Sequence, residues 1–258
     1  MSSTPSAHAA RQYASTTAKL AARIAIHAYG TTPQDWFAWL DERLPREGDV
    51  LEVGAGTGLL WTRVDRRERS LTLADFSPAM CERLRTVPGA RVLRCDATGL
   101  PLRDGSIDTL IADHMLYHVD DPEAALREFA RVLRPGGRLA TATNGREHLA
   151  ELIAVGGAIG RTDLRLSANQ SDFSAQAGPD LVARHFEDVA VERYPGDLAV
   201  PAPEPVLAVL NSLGDDPLTP GQELAARGLV QATIDVDGTF RVGRHTVLIT
   251  ATRGRADG

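Results

Sequence analysis

The chain has 258 residues, 43% of them hydrophobic, and a formal charge of −6 at neutral pH. That length and apolar fraction suffice for one large catalytic domain, and the negative balance argues against wrapping a phosphate backbone, since nucleic-acid binding rests largely on clustered positive charge. The two cysteines, Cys81 and Cys95, are too few for a disulfide framework or a zinc site, so buried thiols in a reducing compartment are expected.

The leading MSSTPSAHAARQY has no apolar core of signal-peptide length, and no window approaches about 18 consecutive apolar residues. A cytoplasmic protein with no membrane partner is the expectation. Residues 1–8 read as a tail. From His8 to Tyr29, the residues Tyr13, Thr17, Leu20 and Ile24 recur at helical spacing. TTPQDWFAWLDERLP then predicts a second helix, with Thr32 as N-cap, Pro33 at the first helical position and Asp35 closing a capping box. Its Trp36, Phe37 and Trp39 read first as the core seam of an amphipathic helix, and second as aromatic surface for a ligand.

From residue 49 to 143, the apolar runs DVLEV, SLTLAD, RVLRCD, IDTLIAD and RLATAT alternate with helix-like segments. Parallel strands joined by helical crossovers follow, hence a doubly wound α/β sheet. DDPEAALREFARVLRPGG is the clearest helix. Asp120 or Asp121 caps it, Pro122 starts it, Ala125, Leu126, Phe129, Val132 and Leu133 share one face, and Pro135-Gly136-Gly137 stops it. Residues 145–180 are rich in Gly, Ala, Ser, Asn and Gln, which suits a mobile cap with helical pieces rather than a core layer. DVAVERY (188–194) and FRVGRHTVLITA (240–251) read as two late strands, with APEPVLAVLNSL as a helix between them.

In an open α/β sheet the ligand crevice lies at the carboxyl ends of the strands. There the first run continues as VLEVGAGTGLL, whose Gly54, Gly56 and Gly58 permit a tight turn and let a ligand approach bare backbone beside a helix N-terminus. A dinucleotide would prefer GxGxxG, whereas this chain has GxGxG after an acid, Glu52. Asp75 ends the second run, where a carboxylate can accept both hydrogens of a ribose diol in either a nicotinamide or an adenosyl cofactor. Asp96 ends the third, where it can take an exocyclic amine hydrogen of adenine while the Ala97 N–H donates to a ring nitrogen.

VLEVGAGTG, DFSPAM, CDATGLPLRDGSIDTLIADHMLYHV and LREFARVLRPGGRL, in this order, resemble the class I S-adenosylmethionine-dependent methyltransferases of the small-molecule group, over roughly residues 49–145. The resemblance implies a Rossmann-like seven-stranded sheet, mostly parallel with an antiparallel last strand, a role open to FRVGRHTVLITA. It implies that Gly54, Ala55, Gly56 and Gly58 approach the methionine part and ribose, that Glu52 supports the loop, that Asp75 binds the ribose hydroxyls, that Phe76 packs on adenine, and that Asp96 with Ala97 reads the base edge. Residues 1–48 resemble the leading helices that close over the cofactor in some relatives, with the methyltransferase domain at 49–258 and a cap insertion at about 145–185. On that likeness Tyr13 and Arg23 meet the methionine carboxylate, which an Arg fork matches.

Past the fourth run, DHMLYHVDD places Asp113, His114, Tyr117 and His118 on the crevice edge. His114, Tyr117 and His118 are the catalytic candidates, because a neutral imidazole is a fit base near neutrality, and Asp113 is counted with the cofactor-facing residues. Many relatives carry an uncharged residue at the position of Asp113. His27 and Tyr29 end the first helix and can face the same pocket. His114 and His118 are four apart but lack a third ligand, so no metal is expected. The expected activity is methyl transfer from S-adenosylmethionine, leaving S-adenosylhomocysteine, to oxygen or nitrogen, less readily carbon, of a small metabolite, by a monomer or homodimer of secondary metabolism. Two alternatives stay open: the same fold binding the cofactor without methyl transfer, in a cyclase-like or binding role, and an NAD(P)-dependent oxidoreductase.

Overall fold

The structure, a computed structural model, describes residues 17–166 and 171–255. Seven strands form one sheet, and each of the expected apolar runs supplies one. They are β1 (Glu47–Val53), β2 (Glu68–Asp75), β3 (Arg91–Arg94), β4 (Ile107–Asp113), β5 (Leu133–Asn144), β6 (Glu187–Arg193) and β9 (Thr246–Thr252). Their order across the sheet is β3-β2-β1-β4-β5-β9-β6. Neighbours from β3 to β5 run parallel, while β9 lies antiparallel between β5 and β6. The sheet is therefore the expected Rossmann-like one with an antiparallel last strand.

Helices α3 (Leu59–Arg63), α4 (Pro78–Leu84) and α5 (Pro122–Val132) fill the crossovers. Apolar residues cover both faces of the sheet. Phe129, Val132 and Phe173 pack with Leu51, Leu110 and Ile249 on one side, and Trp39, Leu40, Trp61 and Leu84 pack with Val50, Leu73 and Ile111 on the other. Burial from both sides is why β4 reads as a nearly unbroken apolar run. Asp121, of the two candidate caps, takes the role at α5: its side chain accepts from the Ala124 N–H at 2.8 Å.

Before the sheet come α1 (Thr17–Ala25), a tightened turn at Ile26–Tyr29, and α2 (Trp36–Asp41). The expected start of α2 at Pro33 is corrected, since Asp35 is itself the N-cap and accepts from the N–H groups of Phe37 and Ala38. One side chain satisfying two orphan donors fixes the boundary three residues later than Thr32 would. Arg69 pins the end of α2 to β2. Its buried guanidinium donates to Asp41 at 2.6 Å and to the Pro45 carbonyl at 2.7 Å.

The region after β5 departs most from expectation. It contains α6 (Ala150–Ala158), α7 (Gly178–Ala183), α8 (Pro203–Leu213) and α9 (Pro220–Asp237), plus a two-stranded sheet of β7 (Leu198–Val200) and β8 (Phe240–Val242). The segment read as a mobile cap sends several side chains into the core: Leu152, Leu164 and Phe173 are fully buried. Small residues there permit close packing rather than mobility. A Cβ on Gly156 would stand 3.0 Å from Leu164, and one on Gly178 3.0 Å from Ile249. Leu152, Leu164, Leu207, Leu210, Val230 and Val242 form a separate apolar cluster with Ile26. FRVGRHTVLITA is two strands in two sheets, because the intervening N–H groups of Gly243, Arg244 and His245 go to the side chains of Glu151, Asp197 and His148. Among the described residues, no helix is long and apolar enough to cross a membrane.

Candidate active site

The registers align the carboxyl ends of the first four strands. Val53 stands beside Ala74, Asp75 beside Arg94, and Asp113 beside Ala142. Glu52, Asp75, Asp96 and Asp113 thereby reach one edge and all line a single cavity of about 920 Å³. That is at the upper end of the roughly 300–1,000 Å³ typical of small-molecule sites.

The glycine turn leaves β1 with left-handed backbone at Gly54, Gly56 and Gly58 (φ 68°, 57° and 72°). The three glycines serve different ends. A Cβ on Gly54 would fall 2.6 Å from Met115, and one on Gly58 would fall 2.9 Å from Val87, whereas one on Gly56 would meet nothing closer than 4.0 Å. Gly54, Ala55 and Gly56 line the cavity. Gly58 does not; it faces Leu84 and Val87 behind α3, so its expected approach to the ligand is corrected to a packing role. Asp75 stitches the turn in place by accepting from the Gly56 N–H at 2.9 Å and the Ser77 N–H at 2.8 Å. A carboxylate has about four acceptor sites, so it retains capacity for two further donors. Burial raises its pKa despite these bonds.

Glu52 is only 4% exposed and accepts from the Trp61 indole N–H at 2.5 Å. Burial, with Asp113 and Asp75 adding negative charge nearby, pushes its pKa up to about 8. Phe76 stands 56% exposed at the rim, available as a flat apolar face. Asp96 is exposed and accepts through Oδ1 from the N–H and hydroxyl of Thr98, while Ala97 beside it is buried. Arg23 lines the cavity with a buried Nε that has no hydrogen-bond partner among the described residues. Tyr13 lies outside the described residues.

Beyond β4, His114 adopts left-handed backbone (φ 53°), a strained state for a residue other than glycine. Its Nδ1 and the adjoining Asp113 Oδ1 are both buried without a hydrogen-bond partner among the described residues, while Asp113 Oδ2 accepts from the Trp36 indole at 3.2 Å. Burial drives the two toward neutrality, raising the carboxyl and lowering the imidazole. Tyr117 and His118 line the same wall with ring centroids 4.5 Å apart. Their segment is a short tight turn, Leu116–His118, rather than an α-helix, so the four-residue spacing of His114 and His118 does not stack them as on a helix face. Among the described residues, no group of three His, Cys, Asp or Glu is arranged to hold a metal.

Further lining residues went unread in the sequence. Asn144, His148, Tyr194 and Arg244 come from β5 and the segments after it; Trp36 and Phe37, whose second reading was an aromatic surface for a ligand, join them from α2 while Trp39 packs into the core. His27, foreseen near the pocket, lines the cavity with its side chain still open to solvent, and partial desolvation there, with the nearby His114 and Arg244, lowers its pKa to about 4. Its ring stacks 6.1 Å from that of His148, a deeply buried imidazole also held neutral by burial. The one signal for this wall was the interruption GRH within an otherwise strand-like run.

Residues 51–141 match the sequence profile of the methyltransferase domain family. An uncharacterized methyltransferase of Mycobacterium tuberculosis is 39% identical over 131 residues, 50% of this chain and 53% of that protein. Malonyl-[acyl-carrier protein] O-methyltransferase of Halorhodospira halophila is 31% identical over 188 residues, 70% of this chain and 61% of that protein. The chain thus spans about half to three-fifths of these relatives' length. Among solved structures, the [4+2]-cyclase SpnF has a TM-score of 0.61 at 18% identity and 98% coverage of both chains. A phosphoethanolamine N-methyltransferase 2 from Haemonchus contortus, in complex with S-adenosylhomocysteine, has a TM-score of 0.58 at 14% identity, covering 97% of this chain and 60% of that one. Profile match and strand order agree: residues 51–141 match a methyltransferase domain, and the chain has the fold of the S-adenosylmethionine-dependent methyltransferases.

Proposed function

We propose that the protein transfers a methyl group from S-adenosylmethionine to an oxygen or nitrogen of a small metabolite. The observation that carries this reading is the continuity of one cavity from the glycine turn, Asp75 and Asp96 to the wall of Asp113, His114 and His148. The first part fits an adenosyl group: bare backbone at Gly56, spare acceptor capacity on Asp75, the Ala97 N–H beside Asp96, and the open ring of Phe76. Arg23, with its unpartnered Nε, suits the methionine carboxylate, and the described part of residues 1–48 roofs the cavity as a lid.

The cofactor supplies a methyl carbon on a positively charged sulfur; as the acceptor's lone pair takes that carbon, the carbon–sulfur pair returns to sulfur. What the chain must add is alignment and the exclusion of water, and positioning alone is worth roughly 7–11 kcal/mol. The indoles of Trp36 and Trp61 hold the Asp113 and Glu52 carboxyls in place. His114, held neutral by burial on the cavity wall, receives the acceptor's proton, with Tyr117 and His118 shaping the same wall.

A thermal-shift screen against S-adenosylmethionine, S-adenosylhomocysteine, NADH and NADPH tests the cofactor. At about 100 times its dissociation constant a ligand stabilises by roughly 2.7 kcal/mol. Both adenosyl ligands should shift the transition, and a response to NADH or NADPH alone would reassign the chain to hydride transfer. Mass spectrometry of metabolite pools incubated with labelled methyl donor then separates transfer from binding without turnover. His114→Gln should lower kcat by about 100-fold or more while leaving the S-adenosylhomocysteine affinity intact. Full turnover in that variant would remove His114 as the base.

A further inference from the structure

We propose that the cavity wall formed after β5 is an organic-anion subsite, in which Arg244 grips one carboxylate of an otherwise apolar acceptor. Arg244 is 3% exposed, lines the cavity, and sits in the three-residue link between β8 and β9. Its guanidinium lies over the Tyr194 ring, with Cζ 4.2 Å from the centroid. Nε donates to the Gly196 carbonyl at 3.1 Å and Nη2 to the Pro195 carbonyl at 2.7 Å. These contacts fix the plane of the fork without neutralising it. Asp197, the acid beside it, spends Oδ1 on the Arg244 backbone N–H, and none of the ion pairs among the described residues includes this guanidinium. Tyr194 and Asp197 ease that charge from nearby, but a buried, oriented cation with no ion pair among the described residues calls for an anion from outside the chain.

The surroundings select the kind of anion. Gly30 packs close against Nη1, where a Cβ would stand 3.2 Å from that nitrogen, so its bare backbone is what lets the guanidinium sit at the cavity wall. His148 accepts the His245 backbone N–H on Nδ1 at 3.1 Å, which leaves its ring proton on Nε2 as a donor. Leu149, Leu166 and Val209 supply apolar wall. One planar fork matches one carboxylate, whereas a phosphate dianion would need further cations. The inference deepens the proposed methyl transfer by naming a handle on the acceptor. It rests on that reading only for this use, because occupancy is measurable without turnover.

The test is calorimetric titration of the full chain with benzoate, 4-hydroxybenzoate and octanoate, each against its own primary amide, with and without saturating S-adenosylhomocysteine. At least one acid should bind about 10- to 100-fold more tightly than its amide, the range expected of a charge-assisted pair. Arg244→Gln should abolish that preference, and Gly30→Ala, which crowds Nη1 while leaving the charge, should reduce it. Equal affinities for acids and amides, or no acid binding at millimolar concentration, would overturn the proposal. So would an Arg244→Gln protein that keeps the acid preference but loses S-adenosylhomocysteine, since the cation would then serve the cofactor. If Arg244→Gln fails to fold by circular dichroism, the wild-type acid-to-amide ratio and Gly30→Ala decide. Acid preference without any response to S-adenosylhomocysteine would leave the anion subsite standing and remove the methyl-transfer reading alone.

Discussion

Burial raises the Glu52 pKa to about 8, so the folded chain keeps a proton there well above the ordinary glutamate value of 4.5. Between those limits the unfolded chain has released a proton that the native state keeps, so rising pH favours unfolding, and the loss is complete above about 8. The melting temperature of the ligand-free protein should fall between about pH 5 and pH 8 from this group, and Glu52→Gln, which preserves an acceptor for Trp61, should flatten that limb. An unchanged slope would place the titration elsewhere. His27 and His148 act with the opposite sign. Their folded pKa values lie below 6.5, so acidification below that value favours the unfolded chain. The glycines offer a second residue-scale test. Gly56→Ala enters open space and should cost about 1–2 kcal/mol of backbone strain while weakening cofactor binding. Gly58→Ala adds a clash with Val87 and should cost about 1–3 kcal/mol more stability, with affinity retained in the folded fraction. Denaturant melts and calorimetry on both variants separate the two roles. Residue types alone marked Glu52, Asp75 and Asp96 because acids recur at successive strand ends. The same reasoning could not separate Gly58 from Gly56, since what a missing Cβ avoids depends on packing from α4.

At the scale of elements, periodicity located the strands and α5 because each obeys one dominant rule, burial on two faces or on one. It failed at α2, where two plausible caps stand three residues apart and hydrogen bonds to Asp35 decide. It failed again at residues 240–251, where β-forming residues continue across Gly243, Arg244 and His245 although distant side chains take their N–H groups. Placement of α2 matters to the site, because Trp36 at its first turn donates to Asp113. The anchor is the buried pair of Asp41 and Arg69. Asp41→Ala leaves a buried guanidinium without its carboxylate and should destabilise the fold by about 3–5 kcal/mol in chemical denaturation. A loss below about 1 kcal/mol would mean the end of α2 is held by its apolar contacts alone.

Across the whole molecule, two apolar bodies share one chain: the sheet with its flanking helices, and the cluster that α6, α8 and α9 build over β7 and β8. The second was legible only in part: APEPVLAVLNSL reads as the helix it is, but β7 and β8 are three residues long and the Gly- and Ala-rich α6 shows little periodicity. A two-stranded ladder that short is marginal by itself. Hydrogen exchange should therefore open the amides of β7 and β8 before those of β1, β4 and β5. Simultaneous exchange would make the two bodies one cooperative unit. The position of β9 bears on assembly. Its partner β5 ends at Asn144 and its partner β6 ends at Arg193, yet β9 begins only at Thr246. During synthesis the two earlier segments must wait with an unfilled slot between them, presenting raw hydrogen-bonding edges to any neighbouring chain. Nascent polypeptide is thus most vulnerable to misassociation in the interval before the last strand emerges and closes the gap.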